Sequence, residues 1–154
     1  MLNNTSKWYT NIYKHLINPA NFVAYCDFNE KVSPGIGASV YFVYDKKKLC
    51  YVGESGNLFE RFMDLNRTLN HSFRRSLGNS KFINHVKFSK ATTKIKFHEE
   101  IESLLNKYCN RHLTISYMPM ILGRLEFEEW VTGNSKNYIL LNKKKKRKQF
   151  IHDV

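Results

Sequence analysis

From Ser39 to Arg61 the chain reads SVYFVYDKKKLCYVGESGNLFER, and the fold is decided there. Ser39 to Tyr44 (SVYFVY) and Leu49 to Gly53 (LCYVG) are short runs rich in β-branched and aromatic side chains, separated by Asp45 and three lysines. Such runs suit a pleated, half-buried surface and the polar break suits a reversal, so together they predict a β-hairpin. From Asn57 to Leu69, the residues Leu58, Phe59, Phe62, Leu65 and Leu69 recur at helical spacing, which predicts a helix laid on that hairpin. Arg61 lies beside its apolar stripe.

On the N-terminal side, Trp8, Ile12, Tyr13, Leu16 and Ile17 predict an amphipathic helix over Lys7 to Ile17, with Asn18 and Pro19 as its stop. The stretch on to Ser39, with Pro34, Gly35 and Gly37, reads as a loop. On the C-terminal side, His71 to Lys90 is basic and aromatic but matches no single period. Glu99 to Asn110 predicts a helix through Ile101, Leu104, Leu105 and Tyr108, Leu113 to Met120 alternates as a third strand, and Leu122 to Val131 predicts a last helix. YILLN (Tyr138 to Asn142) and a run of lysines follow.

At 154 residues the chain is long enough to bury a core as one domain. Its 25 Lys plus Arg against 13 Asp plus Glu give a net charge of +12, which favours polyanions because phosphate contacts release counterions. Six of those charges form the run from Lys143 to Lys148, so the rest still carries +6 (12 − 6). Cys26, Cys50 and Cys109 are an odd set without zinc or redox spacing, hence expected free thiols in a reducing compartment. Neither a signal peptide nor a membrane span is apparent, and the expected location is cytoplasmic.

Val40-Tyr41 with Ser39 before it, then Tyr51-Val52-Gly53, then Arg61 ten residues after Tyr51, resemble the signature of the GIY-YIG nuclease family, with Ser39 standing where the family has glycine. The resemblance implies an α/β (α+β) fold built on a small three-stranded antiparallel sheet flanked by helices. It also implies a phosphodiesterase using one divalent ion, Mg2+ or Mn2+, on DNA. Family members place a metal-binding glutamate on a late helix, and GRLEFEEW offers Glu126, Glu128 and Glu129. A helical wheel from Leu122 to Trp130 turns Glu126 toward the sheet and Glu128 to the polar side, so Glu126 is the expected ligand, with Glu129 left open. Asn142 fits the asparagine that closes the family domain. Where many members carry His or Tyr four residues after the arginine, this chain has Leu65; His71 is the nearest replacement, and the Arg74-Arg75-Ser76-Leu77-Gly78 element after it resembles stand-alone bacterial members.

The chemistry asked of these residues is consistent. Phosphodiester hydrolysis needs a deprotonated nucleophile, a cation against the growing phosphoryl charge, and help for the leaving oxygen. Arg61 offers a planar fork matched to phosphate, Glu126 a hard oxygen ligand, and Tyr41 and Tyr51 hydroxyls on neighbouring strands. Tyr41 is expected as the base or water-orienting group. Taken singly, each tyrosine is an ordinary packing residue and each carboxylate an ordinary helix-surface one.

Arg74, Arg75 and Lys81, interleaved with Phe73 and Phe82, either line a solvated loop or track a nucleic-acid backbone, and DNA contact is expected. The organisation that follows is an N-terminal extension over 1–37, a GIY-YIG-like domain over 38–142 with an insert at about 70–112, and a basic tail over 143–154. A stand-alone enzyme, restriction-type and homodimeric on a palindromic site, is the expected setting. The competing reading is a catalytically inactive basic module of the same fold that only binds nucleic acid.

Overall fold

The structure, a computed structural model, describes residues 2–135 and 140–142. Helix α1 (Leu2–Leu16) leads to strand β1 (Val23–Ala24), the short helix α2 (Phe28–Lys31), the hairpin β2 (Ser39–Asp45) and β3 (Lys48–Ser55), and helix α3 (Leu58–Leu65). Helices α4 (Ser72–Phe82) and α5 (Glu99–His112), strand β4 (Leu113–Pro119) and helix α6 (Arg124–Asn134) complete the order. Tyr138 and Ile139 of the YILLN run, and the lysine run after it, lie outside the described residues.

The sheet has the order β1-β4-β2-β3, all antiparallel. It holds a fourth strand where the sequence predicts three. Val23 and Ala24 pair with Ile115 and Thr114, and a two-residue strand is too short to leave a periodic trace. The hairpin turns through Lys46 and Lys47 at φ 48° and 68°, the positive pair that a tight two-residue hairpin needs, although neither residue favours it. The register of the surrounding sheet imposes the turn.

Central β2 is buried on both faces, and its alternation divides the interior. Tyr41 and Val43 join Phe62, Leu65, Phe73, Leu77, Ile101 and Leu105 under α3, α4 and α5, whereas Val40, Phe42 and Tyr44 join Ile12, Leu16, Phe127 and Val131 under α1 and α6. Each fully buried aliphatic or aromatic side chain contributes roughly 1.5–3 kcal/mol. Two full layers thus fix the sheet between helices.

Helices α3 and α4 differ from expectation, and both differences matter to the site. Helix α3, capped by Asn57 accepting from the Glu60 N–H at 3.2 Å, stops at Leu65 rather than Leu69. The Asn66 amide donates to the Phe62 carbonyl, a local bond that competes with helix continuation. Helix α4 occupies the segment that matched no period. Its buried face is Phe73, Arg74, Leu77 and Gly78, and an arginine and a glycine hide a helical stripe. A Cβ at Gly78 would lie 2.5 Å from the Phe97 ring, so glycine is what lets Phe97 pack there.

Candidate active site

Tyr41 on β2 stands opposite Gly53 on β3 and Tyr117 on β4. Its ring crosses Gly53 so closely that a Cβ there would lie 2.2 Å from Cζ, which is why a glycine completes the Tyr-Val-Gly triplet. Beyond the ring opens a cavity of about 280 Å³. The sheet lends it Tyr41, Tyr51 and Glu54, α3 lends Arg61, the α3–α4 connection and first turn of α4 lend Asn70, His71, Ser72 and Arg75, and α6 lends Glu128.

His71 is the N-cap of α4, its Nδ1 accepting the Phe73 N–H at 3.1 Å. An accepting Nδ1 leaves the ring proton on Nε2, which faces the Tyr41 hydroxyl at 3.4 Å. Burial, then the Arg61 guanidinium, pushes the imidazole down to about 4, so His71 is neutral at physiological pH. The sequence departure at Leu65 is explained alongside: that side chain is core, 2 % exposed.

Tyr41 is 1 % exposed, and burial raises its hydroxyl well above the usual tyrosine range. Tyr51, half-buried, is pushed up to about 12, first by burial and then by the Glu128 carboxylate, with Arg61 opposing. The Tyr41 and Tyr51 rings lie 6.2 Å apart at their centroids, and the Tyr51 ring meets the His71 ring edge-on at 5.7 Å. His71, Tyr41 and Tyr51 thus stand together on the cavity wall.

Arg61 has no carboxylate within ion-pair distance among the described residues, leaving its fork to an incoming anion. Arg75, 9 % exposed, donates through Nη1 to the carbonyls of Thr68 at 2.8 Å and Leu69 at 3.0 Å, which stiffens the segment leading to His71. Glu54 is held by Arg124 at 3.1 Å, tying the start of α6 to the end of β3.

Several expected site residues lie elsewhere. Glu126 is exposed and adds to burial in raising the Tyr9 hydroxyl on the α1 side. Leu122 is 80 % exposed in the approach to α6, which begins only after Gly123 at φ 76°; the wheel that chose Glu126 was therefore centred on the wrong residue. Phe127 points into the core, and its neighbours Glu126 and Glu128 fall to opposite sides of it, Glu128 reaching the tyrosines. Glu129 is exposed and does not line the cavity.

Asn142 is also outside the cavity lining. Its side chain accepts from the Val52 N–H at 3.0 Å and donates to the Val52 carbonyl at 2.7 Å, clipping the open edge of β3 between Tyr51 and Gly53. The expectation of DNA contact is corrected for Arg74: 2 % exposed, it bonds Glu102, Asn106 and Thr68 at 2.7 to 3.0 Å inside the fold. Lys81, a third exposed, does not line the cavity. It sits 5.0 Å over the Tyr108 ring and pairs at 2.8 Å with Asp45, which lies four residues down β2 from Tyr41, about 13 Å at the rise of a strand. Of the three basic residues, Arg75 alone lines the cavity.

Glu54, Asn70 and Ser72 line the cavity without having been singled out in the sequence. Glu54 directly follows the Tyr-Val-Gly triplet and Ser72 follows His71, so adjacency was the available signal. Among the described residues no group of three or more His, Cys, Asp or Glu gathers around one point. Glu128, with Glu54 on the same rim, suits an ion such as Mg2+ that keeps several waters and takes one or two carboxylates together with substrate phosphate.

No curated protein and no solved structure matches the chain. A family model described as the GIY-YIG catalytic domain does, over residues 12–153, which takes in the end of α1, the whole sheet and every residue lining the cavity. With that match over most of its length, and the two tyrosines and the arginine of the signature meeting at one cavity, the chain belongs to the GIY-YIG nuclease family.

Proposed function

We propose that the protein is a divalent-metal-dependent endonuclease that hydrolyses phosphodiester bonds in DNA at the Tyr41 cavity. The observation that carries this reading is the convergence of Tyr41, Tyr51, Arg61, His71 and Glu128 from the sheet and three helices on one space of about 280 Å³. The net charge of +12 supports a polyanionic substrate.

Glu128 would hold the ion, which when bound supplies Lewis-acid stabilisation of phosphoryl oxygen and lowers the pKa of water. Arg61 takes the non-bridging phosphate oxygens as a charged, planar donor pair. His71, neutral, donates through Nε2 to Tyr41, whose ring lies 6.2 Å from that of Tyr51, and the less buried Tyr51 hydroxyl is the one open to the substrate or the attacking water. Tyr41 is in this scheme a positioning residue, and Tyr51 the hydroxyl that touches the reacting atoms. Asn142 fixes the β3 edge that carries Tyr51.

The test is cleavage of supercoiled plasmid with magnesium or manganese by the unmutated chain, Arg61→Ala, Glu128→Gln and Glu126→Gln. Expected are nicking or linearisation by the unmutated chain and by Glu126→Gln, and losses of at least about 100-fold in the other two, the scale of removing one preorganised charge. No cleavage under either metal overturns the hydrolase reading in favour of a binding module. Loss in Glu126→Gln with retention in Glu128→Gln overturns the ligand assignment. Sequenced ends that share one site would support a restriction-type role, and scattered ends would refute it.

A further inference from the structure

A second concavity, about 330 Å³, adjoins the first, and Asn70 lines both. One wall is the α3–α4 connection from Asn66 to Asn70, and the other is Lys96, Phe97 and the start of α5. The connection is held from several sides. Asn66 accepts from the Tyr25 hydroxyl at 2.9 Å, Asn70 donates to Asp64 at 2.9 Å, and Arg75 holds the carbonyls of Thr68 and Leu69. A wall pinned in this way is preorganised, so little ordering cost attaches to a ligand.

Its charges are arranged asymmetrically. Arg67 and Lys96 are exposed and have no ion-pair partner among the described residues. Of the acidic residues beside Lys96, Glu102 takes Arg74 at 2.8 Å, the Thr68 hydroxyl at 2.5 Å and the Phe97 N–H at 3.2 Å, while exposed Glu99 sits in the first turn of α5, where the helix N-terminus complements it. With Glu102 taken by Arg74, the lining keeps Arg67 and Lys96 against Glu99, a net positive balance of one charge (2 − 1). In a duplex, each strand carries a phosphate about every 3.4 Å of axis, so a cavity sharing a wall residue with the first is within reach of the next nucleotides of the same strand.

We propose that this second concavity is a subsite for the nucleotide neighbouring the one in the Tyr41 cavity, with Arg67 and Lys96 on its phosphate. The assignment rests on the reading of the Tyr41 cavity as a DNA site. It makes Asn70 the partition between two consecutive positions on a strand, and it draws on a part of the chain that the signature residues do not touch.

The experiment is a fluorescence-anisotropy titration of a short labelled duplex with the full chain in EDTA, repeated across a series of salt concentrations. The proteins are the unmutated chain, Arg67→Ala/Lys96→Ala, and Lys7→Ala/Lys14→Ala as a control of equal charge loss on exposed positions of α1. Two lost phosphate contacts should reduce the slope of log K against log salt by about 1.8, while the control keeps the slope of the unmutated chain. An unchanged slope in Arg67→Ala/Lys96→Ala, or an equal fall in the control, overturns the subsite. If the unmutated chain leaves plasmid intact with magnesium while the slopes still differ, the subsite stands and the hydrolase reading alone falls.

Discussion

Replacing Gly53 by alanine adds a single methyl group, and the structure says where it goes. The new Cβ would lie 2.2 Å from Tyr41 Cζ, 2.5 Å from Oη and 2.6 Å from Cε1. An ordinary carbon contact is about 3.5 Å, so the ring must move by about 1.3 Å (3.5 − 2.2) or the strands must part. Neither is easy, because Tyr41 is 1 % exposed and faces His71, while Gly53 pairs with it in the middle of the hairpin. Overpacking of this kind costs about 1–3 kcal/mol, which at about 2–4 °C per kcal/mol for a domain of this size lowers Tm by several degrees. A displacement of about 1 Å in a positioning group costs about 100-fold in rate, so cleavage should fall far more than stability does. The assay is urea unfolding and plasmid cleavage of Gly53→Ala, Tyr41→Ala and the double variant. If the ring is what the methyl meets, Gly53→Ala costs little further stability in the Tyr41→Ala background, a coupling that a double-mutant cycle reads directly. Equal costs in both backgrounds would refute the reasoning.

Arg74→Met should destabilise the fold by about 3 kcal/mol, since it strands Glu102 and Asn106, yet leave the salt dependence of DNA binding unchanged; urea unfolding and the anisotropy series measure the two. His71, at about 4 in the folded state against 6.5 unfolded, contributes no pH dependence above pH 7. As pH falls through 6.5 the unfolded chain takes up a proton that the folded one refuses, so stability drops by about 2 kcal/mol between pH 7 and pH 5. His71→Asn, which keeps a capping acceptor, should lose that component when unfolding is measured at both pH values. Asn142→Asp should impair cleavage about as much as Asn142→Ala, because a carboxylate keeps the bond from the Val52 N–H but sets a second acceptor against the Val52 carbonyl; similar cleavage by Asn142→Asp and the unmutated chain would overturn the clip.

Periodicity and local chemistry were enough for the hairpin and its flanking helices, and the resemblance to the family signature for grouping Tyr41, Tyr51 and Arg61, which the alternation of β2 and the stripe of α3 leave on one side. They were not enough for Glu128 or for Arg74. A carboxylate beside Phe127 reaches the tyrosines only because α6 begins after Gly123 and lies against β3, a start point that an apolar Leu122 disguises. An arginine beside another arginine reads as surface until Glu102 and Asn106, 28 and 32 residues further on, arrive from α5 to enclose it. The signature residues thus pointed to the family, and the net charge of +12 to a polyanionic partner. Which charges face the substrate and which are sealed inside was decided by packing between elements distant in sequence, since burial and pairing are properties of the assembled layers and not of any local stretch.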